Sequence, residues 1–472
     1  VQSVAISLIH SYLNPVHEQQ IRDRLRQRLP DRFITASCDV NPELMEYERT
    51  STTVINAMLG PICSRYIRSF IQSLTELGFT GEVMFMQSNG GLAAPELVEQ
   101  RPVVLLESGP AGGVSATVRL AERLGMPNVL LGDMGGTTFD VSLIRESQPE
   151  LRNSGLLHSY AVRSPTIDID SVGAGGGSIA WVDAGGGVRI GPESAGADPG
   201  PACYARGGTR PTVTDCNLIL GFIDPDRFLG GEFKLDGAAA ERAVETHIAK
   251  PLGVPVVEAA NMVRAIANAL MAQAMRLMTV ERGYDPRDFV YVCYGGAGPV
   301  HAIELASDLE IGRVVVPVLP GLFSAYGMIV ADQSIDLQEP VEKEFGAIEP
   351  AFIETAYGKL REDAERRFSG ASSRGLTLDF SRKIDCRYAG QPEPITIDVP
   401  EGPVDFETLR AAFEDAHLRH WNFIRDGHTL VCNNIRLHAE AATGWTGAVD
   451  ADAANADASP EPSHHREIFL DR

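Results

Sequence analysis

Basic residues are scarce in this sequence, and long apolar runs are missing; each shortage excludes a class of protein. Against 63 aspartates and glutamates stand only 41 lysines and arginines, giving a formal net charge of −22. Because a nucleic-acid-binding surface needs a cationic face, we expect no nucleic-acid partner. The apolar runs are too short to cross a bilayer, so we expect no membrane association.

Paired cysteine motifs are also missing. The seven cysteines form no C-x-x-C pair, and their number is odd. A disulfide framework or a structural zinc site is therefore not expected, and the reducing cytoplasm is the predicted location. The hydrophobic content of 44% and the aromatic content of 7% are typical of a globular protein, and 472 residues suffice for two or three packed units.

Helical and strand-like periods alternate along most of the chain, which predicts an α/β fold. The patterns predict helices over 50–77, 108–124, 256–283, 300–309, 351–367 and 406–421, and strands over 129–132, 139–144, 289–293, 379–388, 394–399 and 430–440. The segment 173–208 is rich in glycine and proline without a sustained period, which predicts a long functional loop. We expect a core over 1–340, an α+β domain over 341–440 and a flexible acidic tail over 441–472.

The most specific pattern is a glycine turn between two apolar strands. It reads Gly132-Asp133-Met134-Gly135-Gly136-Thr137-Thr138-Phe139-Asp140. Glycines at a hairpin tip let main-chain N–H groups approach an anion, because no Cβ intervenes. The two threonines add hydroxyl donors, and Asp133 could hold a hydrated Mg²⁺ against phosphates or orient a water. An ordinary hairpin turn uses the same residue types for conformational reasons.

A second glycine turn follows the predicted strand over 289–293. It reads Tyr294-Gly295-Gly296-Ala297-Gly298-Pro299 and opens a helix. Glycines permit close backbone approach, and a helix N-terminus offers unpaired donors, so the sugar, base or phosphate of a nucleotide could lie here. A tight strand-to-helix turn is the alternative.

A third glycine run, Gly175-Gly176-Gly177-Ser178, follows Asp168 and Asp170. Successive N–H groups of this kind can form an anion-binding nest, which would suit a substrate carbonyl or a phosphate. A flexible flap explains the run equally well.

Three other residues have a functional and a structural interpretation. Cys203 is a candidate nucleophile, but no Cys–His pairing is visible, which favours a buried structural thiol. His301 begins a predicted helix, and we expect it to be structural. Arg282, next to Glu281, could reach a nucleotide or form a surface ion pair.

Together with Glu107-Ser108-Gly109-Pro110-Ala111-Gly112-Gly113, the first two glycine turns resemble the phosphate and adenosine loops of actin-like ATPases. More closely, the chain resembles the hydantoinase A/oxoprolinase family over about residues 1–440. Further segments that carry this resemblance are Glu46-Tyr47-Glu48-Arg49-Thr50-Ser51-Thr52-Thr53, Met86-Gln87-Ser88-Asn89-Gly90-Gly91, Pro211-Thr212-Val213-Thr214-Asp215 and Phe323-Ser324-Ala325-Tyr326-Gly327.

The resemblance implies actin-like (ribonuclease H-like) ATPase lobes over the core, with ATP and Mg²⁺ as cofactors. It implies that Asp133 and Asp140 are catalytic, that Mg²⁺ lies at Asp133 through water, and that a B-type subunit is the partner in a hetero-oligomer. The residues expected to bind nucleotide are Gly135, Gly136, Thr137, Thr138, Gly295, Gly296, Ala297 and Gly298.

One family feature has no counterpart here. Family members open with a strand and a first phosphate loop of the Asp-x-Gly-Gly-Thr type, and the opening of this sequence has no match to that loop. The first residues read as a buried strand. We therefore expect part of the first ATPase lobe to precede Val1.

The predicted activity is ATP-dependent hydrolysis of a cyclic amide, of the hydantoin or 5-oxoproline type, by phosphorylation of its carbonyl oxygen. One alternative is a ketone carboxylase subunit similar to the acetone and acetophenone carboxylases. The other is a non-catalytic scaffold that binds nucleotide. The sequence does not distinguish the substrates.

Overall fold

The computed structural model describes residues 1–368, 376–443 and 465–470, and the chain forms two compact units. The first comprises Val1–Ala111, Leu151–Thr166 and Ala331–Trp445, and the second comprises Gly112–Glu150, Ile167–Val330 and Thr446–Arg472. Each unit is discontinuous in sequence. The linear division at residues 340 and 440 stays a prediction, and most of the expected tail lies outside the described residues.

The helices follow the predicted periods closely. They are α1 Val16–Arg28, α2 Ser37–Val40, α3 Glu46–Glu76, α4 Pro95–Gln100, α5 Ser108–Leu124, α6 Val213–Ile219, α7 Gly237–Val244, α8 Lys250–Leu252, α9 Val256–Met278, α10 Gly298–Asp308, α11 Phe323–Val330, α12 Pro350–Arg367 and α13 Phe406–Trp421. Within the described ranges, no helix is both long and apolar enough to span a membrane.

The strands are mostly short. They are β1 Ser3–Ile6, β2 Phe33–Ala36, β3 Phe85–Met86, β4 Leu92–Ala93, β5 Val129–Met134, β6 Phe139–Arg145, β7 Gln148–Pro149, β8 Leu151–Arg152, β9 Gly155–Leu157, β10 Tyr160–Val162, β11 Thr166–Ile167, β12 Ile169–Val172, β13 Ser178–Val182, β14 Val188–Ser194, β15 Val290–Tyr294, β16 Val314–Val315, β17 Gln333–Glu344, β18 Leu378–Tyr388, β19 Ile395–Asp398 and β20 Leu430–Ala441.

The first unit is built on a six-stranded sheet in the order β19-β18-β20-β17-β4-β3. The three long strands β17, β20 and β18 pair antiparallel and supply an inner face that includes Ile384, Tyr388 and Ile435. Helices α12 and α13 bury Ile353 and Phe413 in the same core. A separate parallel pair, β1 and β2, lies against α3.

The second unit has a sheet in the order β12-β6-β5-β15-β16. Strand β5 pairs antiparallel with β6 and parallel with β15. Side chains of α9 and α10, such as Met271 and Leu305, pack with sheet residues Leu130, Val141 and Tyr291 in one fully buried cluster. Because β5 and β15 run in the same direction, their carboxyl ends lie at one edge of the sheet, the edge where open α/β sheets bind ligands.

The segment 173–208 corrects the prediction of a long loop without regular structure. It contains β13 and β14, which pair antiparallel, with Ala180 opposite Ile190. Their turn is closed by the Asp183 carboxylate, which accepts from the N–H groups of Gly185 and Gly187 at 2.9 Å. The sequence pattern did not predict this hairpin, because the segment is rich in glycine and β13 is only five residues long.

Candidate functional site

The hairpin of β5 and β6 places Asp133 directly opposite Asp140. The Gly135 N–H donates to the Thr138 carbonyl oxygen at 3.1 Å and closes a tight tip. A Cβ added at either tip glycine would meet no atom within 4 Å, and Thr137 is exposed. The tip therefore has open space where a bound group could approach the main chain.

The second glycine turn lies beside this hairpin. Tyr294 at the end of β15 is in register with Asp133, and the Ala297 N–H donates to the Met134 carbonyl oxygen at 3.0 Å. Gly295 has φ +83°, and a Cβ there would come within 2.5 Å of Asp133 Oδ1. Glycine is thus required at this position both for its conformation and for its close approach. Two motifs more than 150 residues apart in sequence therefore lie side by side.

The third glycine run packs on the same hairpin. The N–H groups of Gly175, Gly176 and Gly177 donate to the carbonyl oxygens of Thr137, Gly135 and Gly136 at 3.3, 3.0 and 2.6 Å. These three amides are occupied and do not form the predicted anion-binding nest. Main-chain anchoring also argues against a free flap, since the hairpin tip supplies an acceptor for each amide.

Ser178 continues this anchoring. Its hydroxyl donates to the carbonyl oxygens of Thr137 and Gly173 at 3.3 and 3.2 Å, and the side chain is buried. Thr214, at the start of α6, donates both its N–H and its hydroxyl to the Gly176 carbonyl oxygen at 2.8 Å. The run therefore ties α6 to the hairpin, and its predicted role in substrate binding stays a prediction.

Asp133 is the half-buried carboxylate of the site. Burial raises its pKa to about 6; the hydrogen bond from Ser324 opposes the rise, and the nearby Asp140 charge adds to it. The Ser324 hydroxyl donates to Asp133 Oδ2 at 3.1 Å. Asp133 is therefore mostly ionised at neutral pH, yet close enough to its pKa to exchange a proton.

Asp140 is held by the neighbouring strand. The Ser171 hydroxyl on β12 donates to Asp140 Oδ1 at 2.5 Å, and Ser171 is paired with Asp140 across the strands. The two carboxylates of the hairpin thus each have a serine partner that residue spacing did not predict. Ser324 did lie in a segment resembling the family, but no role could be assigned to it from sequence.

Close helix packing positions Ser324. A Cβ at Gly327 on α11 would lie 1.7 Å from the Gly112 carbonyl oxygen on α5, and one at Gly112 would lie 2.6 Å from the Ser324 carbonyl oxygen. A Cβ at Gly113 would lie 2.3 Å from the Tyr294 hydroxyl. The glycines of the Ser108–Gly113 segment therefore allow α5 to contact α11 backbone to backbone, which fixes the serine above Asp133.

The hydantoinase/oxoprolinase family model matches residues 49–337, which is more than half of the chain. The chain belongs to this family. The caprolactamase subunit alpha of Pseudomonas jessenii is 37% identical over 89% of the chain, and the acetophenone carboxylase gamma subunit of Aromatoleum aromaticum is 35% identical over 83%. The chain spans 61% and 55% of the lengths of these two relatives.

Among solved structures, the ATP-dependent caprolactamase from Pseudomonas jessenii is similar with a TM-score of 0.81 and 34% identity. The match covers 94% of this chain and 65% of that one. The predicted α/β fold of the actin-like ATPase type is thereby confirmed for this member of the hydantoinase/oxoprolinase family.

His301 has a structural role, as predicted. Its Nδ1 lies 2.6 Å from Asn268 Oδ1, and its Nε2 lies 3.0 Å from Asn217 Nδ2. Arg264 donates to Asn217 Oδ1 at 2.5 Å and pairs with Glu304, which also accepts from Asn268 at 3.1 Å. Burial and the Arg264 charge hold the pKa of His301 well below its ordinary value. A neutral imidazole inside a closed ring of hydrogen bonds is a packing element that joins α6, α9 and α10.

Cys203 is a buried thiol and not an activated nucleophile. Its burial, with the charge of Asp215 nearby, raises its pKa far above the ordinary thiol value. The Asp215 carboxylate accepts from the Cys203 N–H at 2.7 Å. It also accepts from the Thr212 N–H at 2.9 Å, as part of the capping box that Thr212 and Asp215 form on α6. Because a nucleophilic cysteine needs a thiolate, this environment rules out that role.

Arg282 forms an ion pair, the simpler of its two interpretations. It lies 2.5 Å from Asp168 Oδ2 and 3.4 Å from Glu150 Oε2. Glu281 is exposed, and Asp170 is paired with Val141 inside the sheet. The Asp168 carboxylate is therefore engaged by Arg282.

In the ranges that the structure covers, no group of three or more histidine, cysteine, aspartate or glutamate side chains could enclose a metal ion. A cation at the hairpin would therefore need oxygen ligands from water and from phosphates in addition to Asp133. Magnesium usually binds in this way, through one or two carboxylates and substrate phosphates.

Proposed function

We propose that this chain carries the phosphate- and nucleoside-binding loops of an A-type subunit that hydrolyses a cyclic amide at the expense of ATP. The observation that supports the proposal is the joining of the Gly135–Thr138 tip and the Gly295–Gly298 turn around one carboxylate of raised pKa. Neither an ordinary hairpin nor an isolated strand-to-helix turn requires a half-buried aspartate between them.

Each element has a distinct task in this proposal. The tip glycines and the hydroxyls of Thr137 and Thr138 would bind phosphate oxygens, because a Cβ at Gly135 or Gly136 would meet no atom within 4 Å. The Gly295–Gly298 turn, which leads into the N-terminus of α10, would line the nucleoside side. Asp133 would hold Mg²⁺ through water, and the bound ion would neutralise charge on the transferred phosphoryl group.

Phosphorylation would overcome the low reactivity of the amide carbonyl. Amide resonance makes the carbonyl carbon of a cyclic amide a poor electrophile. Transfer of the γ-phosphoryl group to the carbonyl oxygen weakens that resonance and supplies a good leaving group. Asp140, held by Ser171, would keep the hairpin carboxylates in fixed positions during the transfer.

The same activation would serve a carboxylase acting on the enol of a ketone, which is the second candidate. The observation in its favour is the similarity to the acetophenone carboxylase gamma subunit. We favour hydrolysis because the caprolactamase subunit has the higher sequence identity, 37% against 35% for the acetophenone carboxylase subunit. The caprolactamase structure also has a higher TM-score, 0.81, than an acetone carboxylase structure at 0.72. In either case we expect a B-type subunit to complete the reaction. A non-catalytic scaffold is the third candidate.

Oxygen-18 in the ring carbonyl of the cyclic amide provides the test. In the complete A-type subunit reconstituted with its B-type partner, the label should appear in the released phosphate, and turnover should not depend on bicarbonate. Label retained in the organic product, with bicarbonate required, would favour the carboxylase. Nucleotide binding without any turnover would favour the scaffold.

A further inference from the structure

A polar cavity of about 370 Å³ lies entirely within the first unit. Residues from α1, α2, β17, α12 and β20 line it, together with the segment at the end of α4. Its arginines are Arg22, Arg26, Arg101, Arg163, Arg367 and Arg436. Such a volume is the size of a small-metabolite site.

Unpaired hydrogen-bond donors are concentrated in this cavity. Eight buried side-chain nitrogen or oxygen atoms have no hydrogen-bond partner within the described residues, and four of them line this cavity. They are Asn41 Nδ2, Arg101 Nε, Arg163 Nε and Ser164 Oγ. Buried polar groups are nearly always paired with protein or with ordered water, so a cluster of four marks a place where water or a ligand supplies the partner.

Two of these residues are more than nine-tenths buried, Asn41 with 4% exposure and Ser164 with 5%. The orientation of the Asn41 amide is fixed, because its Oδ1 accepts from Gln338 Nε2 at 3.0 Å. Its Nδ2 is therefore the free end, and it is a donor. All four unpaired atoms can donate a hydrogen bond, and three of them can only donate.

The acidic side chains of the cavity, in contrast, are already engaged. Asp39 pairs with Arg22 at 2.6 Å, and Glu43 pairs with Arg163 at 3.0 Å. Glu43 also pairs with Arg436. Neither Asp39 nor Glu43 is therefore available to pair with a cationic ligand.

Asp336 and Asp363 complete the acidic lining and are engaged as well. Asp336 accepts from His438 and Asn89, each at 2.7 Å. Asp363 pairs with Arg367 at 3.0 Å. The unpaired atoms of the cavity therefore favour a ligand that accepts hydrogen bonds.

Arg101 differs from the arginines around it. Within the residues described, its guanidinium forms neither an ion pair nor a side-chain hydrogen bond, although it is only partly exposed. Burial, followed by repulsion from Arg367, lowers its pKa. Asp336 and Asp39 attract the guanidinium, but neither lies within ion-pair distance of it. A guanidinium taken from water without a close counter-ion is costly to the fold, and a bound anion would reduce that cost.

We propose that this cavity binds a small carboxylate. The carboxylate pairs with Arg101 and accepts hydrogen bonds from Asn41, Arg163 and Ser164. A planar carboxylate matches one free guanidinium in a bidentate arrangement. A dianion such as phosphate fits less well, because the charges of Asp39 and Asp336 act on the same guanidinium. The site would exist whatever reaction the protein performs.

Titration calorimetry on the complete subunit tests the site. The probes are acetate and propionate as carboxylates that are not cyclic amides, and inorganic phosphate and bicarbonate as alternative oxyanions. We expect a carboxylate to bind and Arg101→Met to weaken carboxylate binding at least about tenfold. Arg68→Met, at an exposed arginine paired with Glu99 at 3.0 Å, should leave binding unchanged.

Thermal unfolding, measured without and with carboxylate, distinguishes a binding role of Arg101 from a structural role. Because Arg101→Met removes a buried charge that has no ion-pair partner among the described residues, the variant should be no less stable than the parent. Added carboxylate should raise the melting temperature of the parent only. A marked loss of stability in the variant would overturn the proposal, since it would mean that a protein group pairs with Arg101. Phosphate or bicarbonate binding more tightly than every carboxylate, or equal carboxylate binding by parent and variant, would overturn it too.

Discussion

Replacing Ser324 with alanine removes the hydroxyl that donates to Asp133 at 3.1 Å and leaves the rest of α11 in place. Burial raises the pKa of Asp133 to about 6, and this hydrogen bond opposes the rise. Without this hydrogen bond, the ionised Asp133 carboxylate has one donor fewer but remains equally buried. The pKa of Asp133 should therefore increase further.

The size of the effect follows from the strength of one hydrogen bond to a charged group, about 1.5–3 kcal/mol, part of which water entering at the half-exposed carboxylate would replace. A net loss of about 1.4 kcal/mol corresponds to a change from about pKa 6 to about pKa 7. At pH 7 the ionised fraction of Asp133 would then fall from about nine-tenths to about one-half.

The assay is the pH profile of ATP turnover by the complete subunit with its partner. The acid limb should move from about pH 6 toward about pH 7 in Ser324→Ala, while turnover above pH 8 stays near that of the parent. Ser307→Ala, which removes an exposed serine hydroxyl on α10, is the matched control. An unchanged acid limb, or a uniform loss of turnover at every pH, would refute the assignment of Ser324 as a positioning residue for this carboxylate.

Three other changes address the site and the fold. Asp133→Asn should preserve nucleotide binding in calorimetry but reduce ATP turnover by about a hundredfold, as for loss of a positioned polar group; near-normal turnover would remove Asp133 from the mechanism. Gly295→Ala should abolish nucleotide binding and destabilise the protein by about 1–3 kcal/mol, because its φ is +83° and a Cβ would meet Met134, whereas Gly296→Ala, with no atom within 4 Å, should fold normally; equal behaviour of the two variants would contradict this reasoning. Burial lowers the pKa of His438, but Asp336 and Glu440 together raise it to about 10, so the stabilisation is complete below about pH 6.5 and is lost as pH rises through 10. His438→Gln should therefore cost about 2 kcal/mol in urea unfolding at pH 6 and much less at pH 10.5, and an equal cost at both values would mean that the charge of His438 does not stabilise the fold.

Much of the local structure was predictable from the chain itself. Helices α5 and α13 have the predicted bounds, and the hairpin strands differ from the prediction by two residues or fewer at each end. These elements depend on apolar periods and turn residues a few positions apart, which a sequence displays directly. The glycine motifs were also identifiable, because positive φ and open main chain restrict a position to very few residue types.

The partners of the two carboxylates were not predictable. Ser324 lies 191 residues after Asp133, and Ser171 lies 31 residues after Asp140, on a strand whose register is set by pairing with β6. No local period links such positions, since they meet only when strands pair and helices pack. The occupied amides of Gly175–Gly177 show the same limit: the residue types suit an anion nest, but the tertiary structure uses their donors on the hairpin.

By itself, then, the sequence determined the family, the element types and the three glycine segments, all of which follow from short-range spacing and residue chemistry. The tertiary structure alone decided which glycine amides are occupied, which serine supports each carboxylate, and that Arg101 has no ion-pair partner among the described residues in a cavity of donors. The physical reason is that burial and hydrogen-bond partners depend on contacts between residues far apart in sequence. The pKa of Asp133 and the unpaired state of Arg101 are consequences of those contacts, so both can be known only after the chain has folded.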